Sequence, residues 1–300
     1  MEKRINRVTA REKWQSYLHH PMALVQFLLV HLAALITAAV VLFLIAYVLI
    51  TGVPYIHKEL FAWTWTTENQ SMMPALVNTL VMTLLSLLIA VPIGVCAAIY
   101  MVEYAKRGNK LVKLVRLTAE TLQGIPSIVY GIFGYVCFNV ALHCGFSMLA
   151  GALTLSIMIL PLILRTTEEA LMAVPDSYRE GSFGLGAGKL RTVFRIVLPS
   201  AMPGVLAGVI LAIGRIVGES AALIYTSGSG TGNLSFIKNG AFSLTAPLFQ
   251  STRTLSVHMY ALMSEGLYTD QAHATAVILM VLVIGLNALS SFAAKKLTKQ

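Results

Sequence analysis

The sequence predicts an all-α integral membrane protein with about six transmembrane helices. Of its 300 residues, 57% are hydrophobic and 12% are charged, about half the charged fraction of a soluble domain. Mean hydropathy is +0.75. Apolar runs near 20 residues recur along the chain, the length that an α-helix needs to cross the hydrocarbon core.

Six apolar stretches can be drawn, at roughly 24–50, 74–102, 118–142, 147–165, 200–226 and 272–294. The first is longer than the about 7–15 apolar residues of a signal peptide and is expected to remain as an anchor. Pro74 opens the second, where Asn78, Thr79, Thr83 and Ser86 suit close packing inside a bundle. The third, GIPSIVYGIFGY, sets Pro126 among Gly124, Gly131 and Gly134. Backbone this breakable is expected inside protein or along a cavity, where its freed polar groups find partners. The fourth ends at Arg165, beside Thr166, Thr167, Glu168 and Glu169. The longest segment between spans, about 227–271, predicts a re-entrant stretch or a short external helix. We divide the chain into residues 1–73 (N-terminal segment, first helix and external loop), a core over 74–294 and a tail over 295–300.

The net charge of +9 is a topology signal rather than a nucleic-acid signal. All but four of the 22 Lys and Arg residues (Lys58, Arg215, Lys238 and Arg253) cluster before the first span, after the second, after the fourth and at the C-terminus. Under the positive-inside rule both termini and the loop after the fourth span are cytoplasmic. Cys96, Cys137 and Cys144 show no metal-type pairing and read as small membrane-core residues; a Cys137–Cys144 disulfide is not expected.

That loop is the most patterned part of the chain. Asp176 or Ser177 is expected to cap a helix over 178–185, Gly186 and Gly188 to turn it, and 189–198 to form an amphipathic helix entering the fifth span at Pro199. In EGSFGLGAGKLRTVFRIVLP, Glu180 is followed by Gly186, Ile196, Leu198 and Pro199 at fixed offsets, with Gly181 and Ser182 as small residues after the glutamate. This spacing resembles the EAA loop of ABC-transporter permeases, E-A-A-x3-G-x9-I-x-L-P. The nearby GLGAGKL fails the phosphate-loop pattern twice, with Phe183 where the first glycine belongs and Leu190 after the lysine. No nucleotide site is expected in this chain.

GRIVGESAALIYTSG, at 214–228, places Arg215 and Glu219 four residues apart, where they are expected to share one helix face. Charges at membrane depth face a partner charge or a water-filled path. As a pair they are either self-neutralised or part of a substrate path. A guanidinium fits a tetrahedral oxyanion, and a carboxylate can accept a hydrogen bond from the proton that phosphate carries near neutral pH and sulfate does not. Arg165 is either an interfacial anchor or a group at the inner mouth of the path.

Together these segments, with LPLILRTTEEALMAVP at 160–175, resemble the PstA-type permease subunit of the bacterial high-affinity phosphate ABC transporter. The resemblance runs from about Asn78 to the C-terminus. It implies a type I ABC-importer (MetI-like) permease fold in the bacterial inner membrane. It also implies a PstC-type partner permease, a cytoplasmic ATPase homodimer that uses the ATP, an extracytoplasmic phosphate-binding protein, and a role for Arg215 and Glu219 in phosphate passage. No cofactor is expected on this chain, which is read as a non-catalytic transport subunit. The alternatives are a permease for sulfate, molybdate or phosphonate, a membrane-embedded enzyme, or an ion channel. The enzyme requires a polar catalytic cluster that the sequence lacks, and the channel requires no ATPase-docking loop.

Overall fold

Helices form where the apolar runs predict them, and the computed structural model describes residues 21–106, 108–234, 237–238, 241–242 and 245–297. Lys3, Arg4, Arg7, Arg11, Lys13, Arg107 and Lys299, on which part of the charge reading rests, lie outside the described residues. The chain divides into a unit ending at Thr51 and a second beginning at Gly52. The described residues of the first lie in α1 (Pro21–Gly52), which is apolar on every side. Several of its polar side chains bond within the helix: the His31 ring bonds the Phe27 carbonyl at 2.8 Å and Thr37 donates to Ala33 O at 2.8 Å.

The second unit contains α2 (Met73–Tyr104), α5 (Met148–Met172), α7 (Lys189–Val217) and α10 (Thr269–Leu297), each long and apolar enough to cross a membrane, as α1 is. α3 (Lys110–Gln123) and α4 (Ser127–Ala141) together are apolar enough for a sixth, broken span or a re-entrant loop, and are bent by 105° at the break between them. The third apolar run is therefore not one straight helix from 118 to 142. Pro126 has no N–H to continue the ladder and biases Ile125 away from helical backbone, so α3 stops at Gln123. Short helices α6 (Asp176–Gly184), α8 (Ala221–Thr226) and α9 (Leu255–Glu265) complete the unit, with a two-residue strand pairing of Ile237–Lys238 against Ala241–Phe242. α9 is too short to span and resolves the long segment as a helix-bearing loop.

α5 is the central helix, packed against α2 and α7. Met82 and Ala90 of α2, Leu155, Met158, Ile159 and Ile163 of α5, and Ala212 and Ile216 of α7 share one buried cluster. Lipid is as apolar as these side chains, so close packing and polar knots carry the association. The hydroxyls expected to pack α2 do so. Thr79, Thr83 and Ser86 are buried and donate to carbonyls one turn back, at 2.7, 2.7 and 2.9 Å. Ser156 of α5 donates to Ser86 O at 3.1 Å, crossing the α2–α5 contact. Gly131 of α4 is required by close approach: a Cβ there would lie 2.8 Å from Ala222 Cα of α8. The three cysteines are free thiols.

Candidate functional site

The patterned loop folds as two short helical arms on a glycine turn. Pro175 starts α6 at Asp176, and the side chain of Asp176 does not cap it, contrary to the sequence expectation. The carboxylate is drawn instead to Arg179, at 3.1 Å. Gly186 has φ +82°, a left-handed backbone that glycine adopts at no steric cost. Its N–H donates to Phe183 O at 2.9 Å, and Ala187 N–H to Ser182 O at 3.1 Å, closing the helix end. Ser182 is buried and hydrogen-bonded to Thr192 Oγ1 at 2.8 Å, which locks the second arm onto the first. Glu180 and Gly181 face outward. Phe183, Leu185, Leu190 and Phe194 leave an apolar crown, with Leu185 92% exposed.

Ile196, Leu198 and Pro199 lie at the root of this crown rather than on it. Val193–Val197 is a π-turn in which Leu198 N–H reaches back to Val193 O. The wider turn precedes Pro199, whose ring cannot fit a regular helix turn. Val193 and Val197 are buried with Ala98, Leu171 and Ala201, and Leu198 packs against them. The second arm and the fifth span are thus one helix, α7, from Lys189 to Val217.

At the far end of α7 the helix stops, and Arg215 and Glu219 do not share a helix face. Gly218 closes α7 and Glu219 lies in the break before α8. The glycine followed by Ser220 is a stop-and-start signal that the apolar run conceals. Glu219 Oε1 accepts from Ala222 N–H at 3.1 Å, and Glu219 O accepts from Ser256 Oγ of α9 at 2.6 Å. Among the described residues the Arg215 guanidinium has no hydrogen bond or ion pair, with Glu219 or any other group.

Arg165 lies seven residues before the end of a helix that the sequence drew as ending at Arg165 itself, because α5 continues to Met172. It pairs with Glu169 at 3.1 Å and lies 4.0 Å from Glu120 of α3. Beside it Arg116 bonds the buried Glu168 at 2.5 Å, and these five charges line a cavity of about 180 Å³ between α3 and α5. The sequence singled out only Arg165 among these roles; Arg116 of α3 appears there only as part of the basic cluster after the second span. A second polar cluster bolts α9 to the start of α2. The nearly buried Arg253 donates to Ser229 O at 3.2 Å and approaches the His258 ring at 3.3 Å. Asn78 Nδ2 donates to Arg253 O at 3.2 Å, and Leu255 N–H to Thr79 Oγ1 at 2.8 Å. Burial pushes the Arg253 guanidinium below its ordinary value.

A multi-pass helical membrane protein with an exposed crown on a rigid turn, and a helix broken between two half-buried charges, Arg215 and Glu219, has the architecture of a transporter permease. Residues 90–299 match the family described as binding-protein-dependent transport system inner membrane component. The chain belongs to this family and is an ABC importer permease, a transport subunit. It is 34% identical over 282 residues to the probable ABC transporter permease protein YqgI of Bacillus subtilis (strain 168), covering 89% of this chain and 94% of the relative. It is 38% identical over 186 residues to the phosphate transport system permease protein PstA of Pasteurella multocida (strain Pm70), covering 61% and 66%. With PstA 1 of Mycobacterium tuberculosis (strain ATCC 25618 / H37Rv) it shares 37% over 173 residues, 55% of this chain and 56% of that one. The match to these phosphate-system relatives thus spans under two thirds of their length. The fold matches the crystal structure of a bacterial alginate ABC transporter bound to its periplasmic protein, with TM-score 0.65 at 16% identity over 96% of this chain and 98% of that one. It also matches the inward-facing MetNI methionine transporter, with TM-score 0.54 at 22% identity over 75% and 92%.

Proposed function

We propose that this chain is the permease subunit of an ATP-driven importer of inorganic phosphate. It forms one half of the translocation path beside a PstC-type permease, above a cytoplasmic ATPase homodimer and below an extracytoplasmic phosphate-binding protein. The observation that carries the reading is the Arg215 guanidinium, unpaired among the described residues, one turn before the break at Gly218. A cation kept at membrane depth without a counter-charge is costly, and an anionic cargo supplies that counter-charge on each passage. Glu219, with Oε1 committed to Ala222 N–H, offers its other oxygen to the proton of hydrogen phosphate. Sulfate brings no such proton and meets repulsion instead. Similarity to the PstA proteins supports the same cargo. ATP binding closes the ATPase dimer, the crown at Phe183–Phe194 receives the movement, and the path opens alternately to the two sides.

Phosphate uptake into vesicles containing the four kinds of subunit tests this. Arg215→Ala should lower uptake about tenfold or more, the equivalent of one charge-assisted hydrogen bond, while the complex still assembles. Glu219→Gln should let sulfate compete. Unchanged phosphate-specific uptake by Arg215→Ala overturns the assignment.

A further inference from the structure

Arg179 belongs to the outward-facing arm α6 and stands next to Glu180, yet its donors all turn inward. Nε and Nη2 reach Glu103 Oε1 at 3.1 and 2.8 Å, Nη2 also reaches Leu171 O at 2.9 Å, and Nη1 reaches Val174 O at 2.8 Å. Nη1 additionally bonds Asp176 at 3.1 Å. The side chains of Arg179 and Glu103 are 15% and 8% exposed. Glu103 and Tyr104 are the last residues of α2, in a π-turn over Tyr100–Tyr104. The second arm meets the same place, with Lys189 Nζ 5.0 Å from the Tyr104 ring centroid. Both arms are therefore fastened to the end of one membrane helix.

The other end of that helix is fastened to the substrate path. Asn78 and Thr79 of α2 hold Arg253 O and Leu255 N–H, and Ser256, one residue on, holds Glu219 O. Between these ends α2 is pinned along α5 by the Ser86–Ser156 bond and apolar packing. A buried Arg–Glu pair adds little stability over apolar side chains of the same volume. What it supplies is a fixed orientation between two elements.

We infer that Arg179 and Glu103 are a positioning pair that transmits movement of the coupling segment into α2, and through α2 to the Glu219 loop. α7 is the covalent route from the crown to the path, and α2 is a second route running beside it. This rests on the ATP-driven importer reading, not on which oxyanion is carried.

The test uses the assembled transporter in proteoliposomes with phosphate as cargo. Glu103→Gln keeps the size and an acceptor but removes the charge, and Arg179→Lys keeps the charge but loses the fork. The readouts are co-purification of the subunits, thermal midpoint, ATP hydrolysis and phosphate moved per ATP. A fifth is ATP-dependent thiol labelling of Gly218→Cys in a background without Cys96, Cys137 and Cys144. Both variants should assemble and hydrolyse ATP as wild type, with a midpoint lowered by the broken buried pair, move about tenfold less phosphate per ATP, and lose the nucleotide-dependent change in labelling. Wild-type transport per ATP and wild-type labelling changes overturn the inference. So does a parallel loss of hydrolysis and uptake, which marks the pair as a structural brace. If Arg179→Lys fails to assemble, Glu103→Gln decides. If wild-type vesicles import sulfate and not phosphate, the cargo reading falls and the same ratio measured with sulfate still tests the pair.

Discussion

His258 lies between two partners that dictate its protonation. Arg253 Nη1 donates toward Nδ1, so Nδ1 must accept, and Nε2 carries the hydrogen toward Gln70 O, each at 3.3 Å. Burial first, and then the neighbouring Arg253, lower its pKa from 6.5 to about 4 against the smaller lift from Gln70. The unfolded chain therefore takes up this proton before the folded one. Stability from this site is complete above about pH 6.5, falls as pH drops, and levels off below about pH 4. The full span corresponds to on the order of 3 kcal/mol. The thermal midpoint in detergent should fall across that window, and His258→Gln should flatten the slope; equal slopes would refute it. In the sequence His258 is one of seven scattered histidines. A partner five residues away and another 188 away give it a role that no local pattern displays.

At the level of elements, two helices are interrupted where composition alone reads a continuous apolar run. The α3–α4 bend is legible, because Pro126 forbids a straight helix. The break at Gly218 is hidden, because one glycine in a membrane helix is ordinary and only the tertiary bonds to Glu219 show that the chain has turned. α4 then packs on α8 through Gly131 with no room for a side chain. Gly131→Val should separate the two helices and cost about 1–3 kcal/mol, the usual penalty of overpacking. A thermal midpoint equal to wild type would show that the contact yields freely. The two arms of the EAA-like segment follow the same logic. Their turn at Gly186 was readable from spacing, whereas the inward turn of Arg179 was not, since its partner Glu103 is 76 residues away.

For the whole molecule, the positive-inside reading makes a topological statement that labelling can check. In a cysteine-free background, Leu185→Cys should react with a membrane-impermeant thiol reagent only from the cytoplasmic side. Gly232→Cys, in the long loop after α8, should react only from outside. Reversed or equal labelling would contradict the orientation on which the proposed docking of the ATPase depends. Neither position has a neighbour that a new side chain would disturb: Leu185 is exposed, and nothing lies within 4 Å of a Cβ at Gly232.

The sequence by itself determined that this chain crosses a membrane several times and presents an EAA-type segment, because hydropathy, charge clustering and the offsets from Glu180 to Pro199 are local properties. It also marked Arg215, Glu219 and Arg165 as charges out of place. Only the tertiary structure decided how those charges are partnered: Arg165 with Glu169, Glu219 with Ala222 and Ser256, and Arg215 with no group among the described residues. It also decided that the two arms on the Gly186 turn grip the end of α2. Ion pairs and hydrogen bonds between distant residues depend on where whole helices come to rest, and that follows from packing summed over the bundle.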